Sequence, residues 1–271
     1  MSQAPSSTLP LVREVQPLLR TRRFGRSLRG YQTVDSTNTT AMRWAEDDAP
    51  EGSVVIAEYQ TAGRGRHGRS WQADAGYNLM FSVVLRPSLP PPRLSLITLA
   101  ASVAIAEAVD ACAAPLTSSI KWPNDVLLEG YKCCGMLLES TLTGTDRAMV
   151  VLGIGLNVNQ PDFPPALEDR ATSLLLQTGR PVPRAPLLAD LLGRLERYYE
   201  MLDAADGTAI RQAYETRLHG LGHPTALRLA GQEHPITGLL LGIADTGALR
   251  LHTDDGPRTF HAGEIQQTMV L

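Results

Sequence analysis

Residues 94–112 run without a proline or a glycine, and only Glu107 and Asp110 in them carry charge. Alanine and leucine dominate the stretch, which predicts one long helix. A helix that is apolar on nearly every side needs a sheet broad enough to bury it. The surrounding sequence offers the strands. Residues 53–60, 78–86, 117–122, 126–128, 132–140 and 148–158 are short runs of β-branched or alternating apolar residues between turn formers. Glu129-Gly130 reads as a tight hairpin connection. Residues 31–38 read as a short strand followed by a helix start with several N-cap candidates, Asp35 to Asn38, and 39–47 as the helix. The expectation is an α+β domain: a mixed, largely antiparallel sheet with helices on one face.

The chain has 271 residues, a length that suits one domain of ordinary size plus a small one. Amphipathic helices are expected at 186–202 and 208–218, with a short turn of helix near 173–176. Gly220-Leu-Gly-His-Pro224 marks a boundary. Short strand candidates follow at 225–229, 234–243, 248–252 and 259–261, which suggests a small SH3-like β-barrel. The division expected is therefore 1–29, a partly helical or loose extension; 30–220, the main domain; and 221–271, the barrel. Residues 1–10 are expected to be loose. The arginines at 13, 20, 22, 23, 26 and 29 face one acid, Glu14, and read as a solvated face rather than a nucleic-acid arm.

The formal net charge is −3, so the chain is not a polycation and no DNA partner is expected. No unbroken apolar run reaches the roughly 20 residues of a membrane span, and no membrane partner is expected. The first ten residues lack the pattern of a secretion signal. Cys112, Cys133 and Cys134 have no zinc or disulfide spacing. They read as small buried hydrophobes in a reducing cytoplasm, the adjacent pair pointing to opposite faces of a strand. Of the 25 basic residues only Lys121 and Lys132 are lysines. Biased codon usage is the first explanation of that ratio; the second is that a retained lysine marks a place where a compact, mobile cation is wanted.

Three segments carry chemistry. Gly63, Gly65 and Gly68 match G-x-G-x-x-G, but 70–78 is a poor helix start, so a dinucleotide fold is not expected. Arg64, Arg66 and Arg69 alternate with those glycines, beside His67. A glycine loop with three mutually repelling cations is costly to order. Phosphate accepts paired guanidinium donors, so the loop is expected to be disordered alone and ordered by a phosphorylated ligand. In Lys121-Trp-Pro-Asn124-Asp125, a rigid Trp-Pro unit holds Lys121 at a strand end, suited to a phosphate or an oxyanion. In Gly153-Ile-Gly155-Leu-Asn157-Val, two glycines weaken an apolar strand, which makes sense if a ligand or another backbone comes close.

Together these segments resemble the biotin–protein ligases, whose signatures are a Gly-Arg-Gly-Arg-x-Gly-Arg loop, Lys-Trp-Pro-Asn-Asp and Gly-x-Gly-x-Asn-Val. Asp35-Ser36-Thr37-Asn38 and the lead-in Gln60-Thr61-Ala62 match as well. The resemblance is strong over 30–160, weaker to 218, and returns at Gly242 and at Ala262-Gly-Glu264-Ile. It implies an enzyme that makes biotinyl-5′-AMP from biotin and ATP, with Mg2+, and transfers biotin to a lysine of a biotin carboxyl carrier domain such as that of acetyl-CoA carboxylase. It implies a homodimer, and a catalytic domain related to the lipoate ligases, the nearest alternative, followed by an SH3-like barrel.

By matched position, Ser36, Thr37, Asn38 and Gln60 would line the biotin site, and Arg64, Arg66 and Arg69 would fold over the adenylate with Trp71 closing the region. Lys121 would meet carboxylate and phosphate, with Arg66 the second catalytic group and Asn124 and Asp125 beside it. Asn157 would face the nucleotide, and Lys132 and Gly135 match a Lys-x-x-Gly element. No metal ligand is assigned. Some members begin with a helix-turn-helix domain that needs more chain than precedes position 30 here, so a monofunctional ligase is expected.

Overall fold

The computed structural model describes residues 9–142, 148–204 and 207–268; the loose start expected for 1–10 lies, up to residue 8, outside them. Seven strands form the main sheet: β1 Leu28–Val34, β2 Val54–Gln60, β3 Leu79–Leu85, β4 Ser118–Lys121, β5 Asp125–Leu128, β6 Tyr131–Leu142 and β7 Ala148–Leu156. Their order is β1-β2-β3-β7-β6-β5-β4. Only β1 and β2 are parallel. A parallel neighbour needs a crossover, which helix α2, Thr37–Glu46, provides.

The predicted long helix is α3, Ser95–Ala113, set on one face of this sheet with α1, Pro10–Val15, and α5, Arg184–Ala204. Helices α4, Leu174–Thr178, and α6, Thr208–Glu215, complete the α-helices of the described residues. Leu96, Leu99 and Ile105 of α3 share a core with Val54, Ile56, Phe81, Val83, Leu152 and Ile154. By length and composition Pro91–Ala113 could cross a membrane, which a count of unbroken apolar runs does not register, but this segment is mostly buried inside the fold.

The expectation of helices on one face is corrected by α2. It covers Val55, Val84, Met149 and Val151 on the opposite face. A β–α–β crossover has a fixed hand, and that side is the one α1, α3 and α5 leave open. The N-terminal arginines are also more than a solvated face. Buried Glu196 of α5 accepts the backbone N–H groups of Arg22, Arg23 and Phe24 at 2.8, 2.6 and 3.1 Å. Arg23 pairs with Glu51 at 2.8 Å and Arg22 with Glu200 at 3.2 Å. The run is a clasp that ties the entering chain to α5.

A second, antiparallel sheet holds β8 Pro224–Arg228, β9 Ile236–Ile243, β10 Leu249–Thr253, β11 Gly256–Phe260 and β12 Glu264–Thr268, ordered β11-β10-β9-β8-β12. β12 carries little apolar signal and escapes sequence reading; β8 recruits it by pairing. This sheet is bonded to the first domain. Trp122 Nε1 donates to Gly247 O at 3.1 Å, and Ile243 N donates to Glu215 Oε1 at 2.7 Å.

Candidate functional site

Residues directly opposite in a ladder share a face. Lys121, Asp125, Gly135, Gly155, Met80 and Ala57 are successive partners across β4, β5, β6, β7, β3 and β2. The next row on that face is Leu137, Gly153, Ser82 and Val55. Helix α2 covers one end of the face. Beyond it, three glycines strip the sheet to backbone. A Cβ on Gly153 would lie 2.1 Å from Asn38 Oδ1, and one on Gly155 2.4 Å from the Trp71 indole. One on Gly135 would lie 2.9 Å from Lys132 Nζ. Gly153 and Gly155 therefore make room for side chains of other predicted segments, and Gly135 for Lys132 of its own strand, as close approach requires.

Lys132 reaches this floor through a β-bulge. In a regular strand residues three apart face opposite sides. Here Val126 pairs with Cys134 but Leu127 with Lys132, leaving Cys133 as an extra residue. The bulge re-aims Lys132 onto the face of Gly135. It also corrects the expectation for the cysteines: Cys133 and Cys134 are both fully buried in the same core. Burial pushes the Cys133 thiol up to about 12 and Cys134 well above its ordinary value, so both are inert. The backbone groups freed by the bulge are met from elsewhere. Lys132 N donates to Arg170 O, Thr172 N to Lys132 O, and Asn157 N to Cys133 O, at 2.9, 2.9 and 2.8 Å.

The two lysines are thereby separated. Lys132 Nζ is 2.7 Å from Asp125 Oδ1 and 5.8 Å from the Trp71 ring centroid, above the glycine floor. Lys121 ends the row at the sheet edge. Its neighbour Ile120 bridges to Leu218. Burial and then the Lys121 charge hold His219 below its usual pKa, and Lys121 also helps lower Glu264. Lys121 thus faces the junction with the second sheet.

The arginine loop forms a small ribbon over the floor. Gly65 N donates to Arg69 O at 2.7 Å and Trp71 N to Gly63 O at 2.9 Å. The tip is left-handed at His67 and Gly68, with φ of 55° and 73°. No helix follows Gly68, in keeping with the rejection of a dinucleotide fold. Each arginine has a different partner. Arg64 Nη2 donates to Glu139 Oε2 at 2.9 Å. Arg66 Nη1 donates to Asn124 Oδ1 at 3.3 Å and to Gly263 O at 3.5 Å. Arg69 donates through both terminal nitrogens to Glu264, at 2.7 and 2.5 Å. Charge compensation that sequence reading sought from an anion is thus supplied by two carboxylates of the chain. Burial lowers the Arg66 pKa, with Asp125 and Glu264 opposing; a guanidinium remains charged. A cavity of about 420 Å³ opens between this loop and Leu137 and Glu139.

The remaining predicted residues divide into lining and scaffold. Gln60 Oε1 accepts from Thr37 N and Oγ1 at 2.8 and 3.1 Å. Its Nε2 donates to Met80 Sδ, at 3.5 Å. Ser36 occupies the N-cap of α2 without a side-chain capping bond. Buried Asn38 is held by Ser82, Leu137 and Glu139. Asn157 is also buried and donates to Thr172 O at 3.0 Å, so it fixes the 170–174 segment instead of pointing outward. Sequence reading missed Ser82 and Glu139. A buried serine in the apolar run of β3 was the available signal for the first; Glu139 has none.

A stripped sheet face under a glycine–arginine strap, with lysine beside it and the second sheet pinning the strap, is an arrangement suited to bringing anionic groups together away from water. Comparison with known proteins gives the family. Residues 30–157 match the biotin/lipoate A/B protein ligase family, and 220–266 match the biotin protein ligase C-terminal domain. The chain is 36% identical over 255 residues to the bifunctional ligase/repressor BirA of Bacillus spizizenii, covering 93% of this chain and 78% of that protein. It is 36% identical to the biotin–[acetyl-CoA-carboxylase] ligase of Paracoccus denitrificans, covering 86% of this chain and 97% of that one. The biotin protein ligase of Aquifex aeolicus, solved in complex with biotin and ATP, superposes with a TM-score of 0.75 at 30% identity, covering 89% and 98% of the two chains. The chain belongs to the biotin protein ligases.

Proposed function

We propose that biotin and ATP meet on the glycine-floored face, with Lys132, Arg66 and Gln60 as the groups that handle them. The enzyme forms biotinyl-5′-AMP and transfers biotin to a lysine of a biotin carboxyl carrier domain. In the first step a biotin carboxylate oxygen bonds to the α-phosphorus of ATP and the bond to pyrophosphate breaks. Both reactants are anions, so cations must hold them together and stabilise the charge that builds up. In the second step the carrier amine attacks the acyl carbon, AMP leaves with the bonding electrons, and the amine loses a proton. The strap from Gly63 to Trp71 keeps water from the mixed anhydride.

The observation that carries this reading is the register row. It sets Asp125, with Lys132 bonded to it, beside a floor of Gly135 and Gly155, beneath Trp71. On this geometry Lys132 is the lysine nearest the reacting groups, and Lys121 serves the junction where Arg66, Arg69 and Glu264 meet. Among the described residues no three His, Cys, Asp or Glu side chains gather as a metal cage. Magnesium keeps its waters and binds through phosphates, so it enters as part of the nucleotide substrate. We assign the enzyme to the cytoplasm, where its three free thiols stay reduced, and to a homodimer, which sedimentation would detect. The reaction is tested by mass detection of acyl-AMP after incubation with magnesium-ATP and biotin, lipoate or octanoate in turn. Product with biotin alone is expected; product only with lipoate or octanoate would overturn the reading.

A further inference from the structure

A chain of polar side chains crosses the site face and closes on itself. It starts at Gln60, whose Oε1 accepts from Thr37. Thr37 Oγ1 lies 2.8 Å from Ser82 Oγ, and Ser82 donates to Asn38 Oδ1 at 2.6 Å. Asn38 Nδ2 donates to Glu139 Oε2 at 2.7 Å, and the same oxygen accepts from Arg64 Nη2 at 2.9 Å. Arg64 follows Gln60 by four positions, so the backbone of the strap completes the ring.

We propose that Glu139 is a positioning residue of the ligase reaction, the carboxylate that closes this ring and holds Asn38 and Arg64 in register around the bound biotin. The proposal rests on the reading of this face as the biotin site. As an ion pair alone, Glu139 with Arg64 would do little, because the two side chains are 31% and 47% exposed. Asn38 makes the difference. It is buried, and its oxygen sits where a Cβ on Gly153 would be. Its amide donors are taken by Leu137 O, at 3.2 Å, and by Glu139.

Glu139 Oε2 is therefore one acceptor serving two donors. The Asn38 amide and the Arg64 guanidinium would otherwise face each other donor to donor. A glutamine at 139 weakens this role: its amide oxygen can accept from both donors, but a neutral acceptor holds each about half as strongly as a carboxylate does. Once Arg64 is truncated, the glutamine oxygen has only Asn38 to satisfy. Glu139 acts before chemistry, by preorganising the pocket, so its loss falls on ground-state binding.

The test is steady-state kinetics in biotin on the full chain with Glu139→Gln, Arg64→Ala and the double variant, with thermal unfolding of each. Glu139→Gln is expected to raise the KM for biotin about tenfold and change kcat less than about twofold. In the Arg64→Ala background the same substitution is expected to change KM less than about twofold. An unchanged KM for Glu139→Gln, equal factors in both backgrounds, or a fall in kcat alone would overturn the proposal. If Glu139→Gln does not fold, the comparison moves to Glu139→Ala with and without Arg64→Ala, where equal KM factors again overturn it. A wild-type chain that makes no biotinyl-AMP would instead sink the functional reading.

Discussion

The two faces of the seven-stranded sheet are made by alternate residues of the same strands, yet they serve opposite ends. In β7, Leu152, Ile154 and Leu156 point to the core under α3 and α5, while Gly153 and Gly155 point to the site. One face is filled with close-packed side chains, which supply most of the stability. The other, beyond the patch that α2 covers, is emptied of them, and the vacated volume goes to Asn38, Trp71 and Lys132. The face proposed to bind is thus made by subtraction, at a cost of about 0.5–1 kcal/mol per strand glycine. The core face has to repay that cost.

Substitutions that separate the faces should show the difference, the greatest effect coming from refilling the site. Gly153→Val places branched atoms where Asn38 Oδ1 sits. Adenylate formation should fall by about 1000-fold or more, since displacing a site by an ångström is enough to cost orders of magnitude. Far-UV circular dichroism should stay close to wild type. Activity near wild type would show that the floor is not where the ligand lies.

The converse is Ile105→Ala in α3, fully buried on the core face. It should cost about 2–5 kcal/mol in denaturant unfolding, with the KM for biotin unchanged. A raised KM at full folding would mean that the faces are coupled. Between the lysines, Lys132→Ala should slow adenylation by about 100-fold or more and Lys121→Ala by less than about tenfold. The reverse order in single-turnover assays would move the reacting groups to the domain junction.

The smallest effect belongs to the strap's far anchor. The hydrogen bond and charge of Arg69 hold the Glu264 carboxyl below its ordinary range, against partial burial. A carboxyl lowered in the folded state contributes above its unfolded pKa and loses that contribution as pH falls through the folded one. Glu264→Gln should therefore speed amide exchange at Gly65 and Trp71 a few-fold at pH 7. The difference from wild type should fade below about pH 4. A difference that persists at lower pH would mean that the anchor is not ionic.

Much of this was legible along the chain. The apolar run of α3 demanded a sheet, and the alternation in β3 and the punctuation by Gly and Pro located most strands. The site segments announced themselves by residues that make poor structure: glycines in strands, arginines among glycines. Three features were not legible. The bulge at Cys133 depends on the register of β5 against β6, which no local pattern encodes. The side of the sheet taken by α2 follows from the hand of a crossover. β12 has little signal because pairing with β8, not its own side chains, makes it a strand.

By itself, then, the sequence determined most of the elements and the residue types from which a site could be built, since periodicity, turn chemistry and charge are local properties. Only the tertiary structure decided which members of that inventory meet. Lys132 rather than Lys121 stands over the floor, Asn157 is scaffold, and Glu139, silent in sequence, joins the strap to α2. Those outcomes depend on strand register and on side chains brought together from 15 to 101 positions apart, distances over which no sequence pattern carries phase.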